Sequence, residues 1–199
     1  SFGAIPLSVK KIKCAAIIAS SNKCLEGVPG VGFSIVDTHV LSNAAGNSSS
    51  LSLDLFDQWQ NFKNTGQWRF TPPTHVLAAL EQALFEHEGE GGVKGRGQRY
   101  KKNCDILIEG MNLLGFKTYL DKKIQSPVIV TFHFPNVNGF NFNEFYERLL
   151  IRGFMIYPGK LTKVDSFRIG CIGHITHFDV KNLVEAIDDI IKELGLKLE

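Results

Sequence analysis

Between residues 12 and 23 the chain passes from an apolar stretch straight into a polar turn. The segment Ile12–Ala19, interrupted only by Lys13, leads into Ser20-Ser21-Asn22-Lys23. That pattern predicts a strand covered on both faces, as in α/β proteins. The turn residues Gly27, Pro29 and Gly30 follow, and then a second strand over Val31–Asp37. Lys23 is therefore expected on a loop at the end of a buried strand, the edge at which α/β folds bind ligands. A lysine nucleophile must be neutral to attack a carbonyl, and desolvation favours the neutral amine. Ser21 and Asn22 stand ready to hydrogen-bond an anion, and the glycines beyond turn the chain without a blocking side chain. The residues alone leave a second reading open, a solvated lysine in a hairpin loop.

Downstream, Asn43–Ser50 reads as a small-residue linker and Leu51–Phe62 as a helix with Leu51, Leu55, Phe56 and Trp59 on one face. Thr71-Pro72-Pro73-Thr74 marks the next helix start, with Thr74 as its cap and His87 near its end. Five glycines fall in Gly89–Gly97, and the helix expected from there to Leu114 carries the stripe Tyr100, Cys104, Leu107 and Met111. Gly115 closes it. Strands are expected at Phe116–Leu120, Val128–Phe134, Phe154–Tyr157 and Ser166–Ile172, with helices at Asn141–Ile151 and Asp179–Leu194, the last capped by Asp179. Mixed order of this kind predicts an α+β lobe after a boundary near Gly89–Gly97, bridged by the long helix.

Arg168 lies in Phe167-Arg168-Ile169-Gly170-Cys171-Ile172-Gly173-His174, among apolar neighbours where an unpaired guanidinium is costly. It needs an anionic partner, either a bound acid or a carboxylate such as Asp165. His133 reads as a core histidine, and His174 and His177 as loop residues. Lys94, Arg96, Arg99, Lys101 and Lys102 read as a solvated helix face.

Composition excludes more than it assigns. With 22 basic against 20 acidic residues the net charge is +2, too small to point to nucleic acid. No apolar run approaches the roughly 18 residues of a membrane helix, and no secretory signal opens the sequence. Residue 1 is not Met, which suggests part of a longer chain. The four cysteines show no CxxC spacing and read as small buried hydrophobes in a cytoplasmic protein rather than as a disulfide or metal set.

Ser20-Ser21-Asn22-Lys23-Cys24-Leu25-Glu26-Gly27-Val28-Pro29-Gly30-Val31-Gly32 resembles the cofactor-lysine loop of the class V aminotransferases, a fold type I group of pyridoxal 5′-phosphate (PLP) enzymes. Within that class it is similar to the 2-aminoethylphosphonate–pyruvate aminotransferase family. The resemblance implies that Lys23 carries PLP covalently and shuttles the proton, with Ser21 and Asn22 beside the cofactor phosphate. Arg69-Phe70-Thr71-Pro72-Pro73-Thr74-His75 resembles the segment that reaches a neighbouring subunit's site, where Thr71 would bind the phosphate in a homodimer with shared active sites. The Arg168 segment resembles the one whose arginine holds the substrate's acid group.

The implied fold is the C-terminal part of a fold type I transferase: the end of the large α/β domain over residues 1–92, then the bridging helix and a small α+β domain over 93–199. The family's phosphate loop, ring-stacking residue and aspartate under the pyridine nitrogen have no counterpart in this sequence. The substrates implied are a small amino donor and a keto acid, with no metal, nucleic acid or membrane partner. Alternatives are an alanine–glyoxylate or serine–pyruvate type aminotransferase, or a catalytically incomplete fragment. A cysteine desulfurase fits less well, because Gly173 stands where that group places its nucleophilic cysteine.

Overall fold

A helix turn, α1 (Val9–Ile12), opens the described part of the chain and ends at Lys13 in the left-handed region (φ 56°). The computed structural model describes residues 2–159 and 164–198. These divide into two units, one of Phe2 and residues 6–89, the other of residues 3–5 and 90–198.

In the first unit the expected strand is shorter and barer than its apolar sequence suggests. β1 (Ala16–Ser20) pairs antiparallel with β2 (Gly32–Val36), Ala16 opposite Val36 and Ser20 opposite Gly32, in a two-stranded ribbon. Ile18 is 76% exposed, so the strand is not covered on both faces by its own unit. Its apolar side chains need a covering layer, and β2 supplies only an edge partner. A short helix, α2 (Thr38–Ser42), follows, with the Asp37 carboxylate accepting from the His39 N–H. It escapes a periodicity reading because it completes too few turns to show one.

α3 (Leu55–Thr65) begins at Leu55 rather than Leu51 because Asp54 is its cap, accepting from the Asp57 N–H at 3.0 Å. α4 (Thr74–Gly89) takes its first backbone bond from Leu77 N–H to the Pro73 carbonyl at 3.0 Å. Pro73 therefore sits at the cap position, and Thr74 is the first helical residue rather than the cap.

The second unit is built on α5 (Gly92–Leu113), which runs through glycines of the stretch expected to hold the domain boundary. Glycine lowers helix propensity, yet close packing demands it here: a Cβ at Gly97 would collide with the Ala4 carbonyl. Arg96, Tyr100, Asn103, Cys104, Leu107 and Met111 are buried along one face. Phe116–Leu120 forms no strand of its own; Thr118 makes an isolated bridge to Phe132. β3 (Ile129–His133), α6 (Phe142–Ile151), β4 (Tyr157–Pro158), β5 (Ser166–Gly170) and α7 (His177–Glu193) complete the unit. The sheet order is β3-β5-β4, antiparallel throughout, as an α+β lobe requires.

One face of this sheet buries Val130, Phe132, Phe167 and Ile169 against Leu107, Met111, Phe145, Leu149, Ile187 and Ile190. Phe167 has the Phe116 ring edge-on at 5.5 Å and the Phe132 ring stacked at 5.6 Å. Each such side chain contributes about 1.5–3 kcal/mol on burial, and truncating Phe167 to Ala would cost about 3–5 kcal/mol. α7 is capped by Thr176, not Asp179: the Thr176 hydroxyl accepts from the Phe178 N–H, and Asp179, in the first turn, accepts from the Thr176 N–H at 2.7 Å.

Candidate active site

Lys23 sits on the loop joining β1 to β2, and Ser21 holds that loop. Ser21 is 0% exposed. Its hydroxyl donates to the Val28 carbonyl at 2.6 Å and lies 3.2 Å from the Val31 carbonyl. Its N–H donates to Val31 O, and its own carbonyl accepts from Gly27 N–H at 2.9 Å. A Cβ at Gly27 would meet that carbonyl at 3.0 Å, so the turn closes tightly only with glycine. Cys24 and Leu25, both buried, pin the loop from below. Lys23 itself is exposed, and its side chain has no hydrogen bond or ion pair among the described residues. The desolvation expected from a buried strand is therefore not supplied by this unit, because the ribbon beneath the loop is open on its faces. Asn22 is half-buried and its side chain has no partner among the described residues.

The geometry gives Ser21 a bracing part. Its single hydroxyl proton is already committed to a backbone carbonyl, so donating to a phosphate would cost that bond. Thr71 lies just before α4, exposed, with no side-chain partner among the described residues. The start of a helix beside it offers unsatisfied N–H groups that favour an anion.

Arg168 lies in the second unit, on β5. The strand's alternation corrects the expected surroundings: Phe167 and Ile169 face the core, and Arg168 faces the other way, half-buried. Its cross-strand partners are Thr131 on β3 and Tyr157 on β4. Nε donates to the Pro158 carbonyl at 3.1 Å, and no ion pair to Asp165 or to any other described carboxylate is present. His133 shares the non-core face, its ring 5.5 Å from that of Tyr119, so it is not a core histidine. A cavity of about 430 Å³ opens beside it, lined also by Lys117, Phe134 and Lys197 and by none of the expected site residues.

The sequence gives little warning of the most heavily bonded charges in this unit. Arg96, read as solvated, is 2% exposed and pairs through Nε with Glu90. Arg99 donates to the same carboxylate at 2.6 Å and to the carbonyls of Gly173 at 2.6 Å and Ile175 at 3.2 Å. The Arg99 bond, followed by Arg96, holds the Glu90 carboxyl well below the usual carboxylate range, at about 2. Glu90 stands among glycines, where no periodicity marks it.

The four cysteines are free thiols. Cys171 is fully buried, and contact with the Cys104 thiol together with burial pushes its thiol up, so it presents no thiolate. Among the described residues no cluster of His, Cys, Asp and Glu is placed to hold a metal, and no helix is long and apolar enough to cross a membrane.

This arrangement of elements recurs in known structures. A pyridoxamine–pyruvate aminotransferase from Mesorhizobium loti superposes with a TM-score of 0.87 at 20% identity, over 100% of this chain and 52% of that one. A PLP-bound phosphoserine aminotransferase from Trichomonas vaginalis gives 0.77 at 18% identity, over 94% and 51%. The fold is thus α/β and that of about half of a PLP-dependent aminotransferase chain. No family model matches the sequence. A 2-aminoethylphosphonate–pyruvate transaminase from Pseudomonas fluorescens, however, is 50% identical over 194 residues, 98% of this chain and 53% of that relative. By that identity the chain is similar to the 2-aminoethylphosphonate–pyruvate transaminases, and it spans about half the length of the curated relatives it matches.

Proposed function

We propose that this chain is part of an enzyme that moves the amino group of 2-aminoethylphosphonate to pyruvate, giving phosphonoacetaldehyde and alanine. The observation that carries the reading is Lys23, an exposed amine with no side-chain partner among the described residues, on a braced loop, in a chain half identical to transaminases of that name. A primary amine, the Asn22 amide and the Thr71 hydroxyl beside a helix start form a donor set suited to an aldehyde that bears a phosphate, as PLP does.

When bound, PLP would supply an electron sink for the carbon that carries the amine. Lys23 Nζ would hold the cofactor and, once freed by the substrate amine, would act as the base that takes the proton from the substrate carbon bearing the amine and then as the acid that completes the 1,3 proton shift. Asn22 and Thr71 hold the phosphate, the latter in a neighbouring subunit of a homodimer. Ser21 keeps the lysine loop in shape. Arg168 holds the acid group of both substrates by a two-point contact. Four free thiols suit a reducing, cytoplasmic setting. A desulfurase reading is disfavoured by the buried, protonated Cys171.

The test is to assay the full-length protein that carries this chain. Alanine should form from pyruvate with 2-aminoethylphosphonate as donor, and amino transfer from alanine to glyoxylate or from serine to pyruvate should be far slower. The reverse order of preference would favour the alanine–glyoxylate or serine–pyruvate alternative.

A further inference from the structure

We propose that Tyr157 is a specificity residue for the phosphonate: its phenol donates to the third oxygen of a tetrahedral acid group whose other two oxygens lie on Arg168. This rests on the reading of Arg168 as the acid-group anchor. Tyr157 and Arg168 are directly opposed across β4 and β5 and share the face turned away from the core. Residues so opposed have Cβ atoms about 5 Å apart. The bond from Arg168 Nε to the Pro158 carbonyl ties the guanidinium to the strand that carries Tyr157. The two Nη groups are left without a partner among the described residues, and so is the Tyr157 hydroxyl, on an exposed side chain.

Shape then separates the two substrate acids. A carboxylate has two oxygens in one plane, and the planar guanidinium fork satisfies both. A phosphonate has three oxygens arranged tetrahedrally, so one always stands out of the plane of the fork and needs a donor from the side. Thr131 also opposes Arg168, but its short side chain keeps the hydroxyl near the backbone. The longer Tyr157 side chain carries its hydroxyl well beyond the reach of a threonine's, and its ring offers few rotamers to lose on binding. A site built to hydrogen-bond a group discriminates against a ligand that lacks it.

The test uses Tyr157→Phe in the full-length holoenzyme, with kcat/KM measured separately for 2-aminoethylphosphonate and for pyruvate. Pyruvate serves as a carboxylate control at the same arginine. The phosphonate value should fall about tenfold, the scale of one hydrogen bond to a charged group, and the pyruvate value by less than twofold, with an unchanged melting temperature. Inhibition by ethylphosphonate should weaken in parallel, and inhibition by propionate should hold. Equal losses for both substrates, or no loss for either, would overturn the proposal. Arg168→Ala measured alongside separates the two readings. If it lowers both values while Tyr157→Phe lowers neither, only the role of Tyr157 fails. If it lowers neither, the anchor reading fails and the role of Tyr157 with it.

Discussion

Arg99 donates from Nη1 to the carbonyl of Gly173 at 2.6 Å, which ties the middle of α5 to the loop leaving β5. Glu90 steadies that arginine from the other side, with its carboxyl held at about 2. A carboxylate whose folded pKa is depressed contributes stability that is fully present above its unfolded value, about 4.3, and that is lost as pH falls from there toward 2. The protein should therefore lose thermal stability between about pH 4.3 and 2. Glu90→Gln should melt lower than wild type at pH 7, and the gap should narrow across that window. Melting curves at pH 7, 4 and 2.5 check this; a gap that stays constant with pH would contradict the assignment.

Ser21→Ala separates a brace from a cofactor ligand. The hydroxyl is buried and bonded to the Val28 carbonyl at 2.6 Å, so its loss should lower stability by about 1–3 kcal/mol even without cofactor. Chemical denaturation of the PLP-free protein measures this. Unchanged stability with weakened PLP affinity would instead return Ser21 to the phosphate.

Arg168→Ala should lower kcat/KM at least roughly tenfold for each substrate, since a charge-assisted contact contributes about 1.5–3 kcal/mol and about 1.4 kcal/mol is a factor of ten. Arg168→Lys should recover only part, because an ammonium keeps the charge without the planar fork. Stability should change little, since among the described residues the side chain makes one hydrogen bond, an exposed one to Pro158 O. A lower melting temperature with intact kinetics would make the arginine structural.

Local signals carried the second unit well, because α5, α6 and α7 each bury a full apolar stripe against one sheet. Tyr100, Cys104, Leu107 and Met111 are all buried as their spacing predicts, and so are Leu183, Ile187 and Ile190. The first unit was harder to read. Cys14–Ala19 is apolar enough for a fully covered strand, yet the covering layer does not come from β2, and Ile18 stays exposed. Helix starts differ from expectation in three places: Asp54 and Thr176 begin their helices through side-chain bonds in place of starts expected at Leu51 and Asp179, and Pro73 rather than Thr74 takes the cap position of α4. The ion cluster was hidden because Glu90 and Arg99 are joined by folding around glycines rather than by a helical period. Lys23, Ser21 and Arg168 were visible by resemblance. Which of them is braced, exposed or partnered required the register of the strands.

Lys23 as the lysine that carries PLP is the proposal on which the other assignments depend. Borohydride reduction of the full-length holoenzyme, followed by peptide mapping, tests it most directly. The pyridoxyl label should appear on the peptide containing Lys23, and a Lys23→Ala preparation should take up none. Label recovered on any other lysine of the wild-type enzyme would contradict the account.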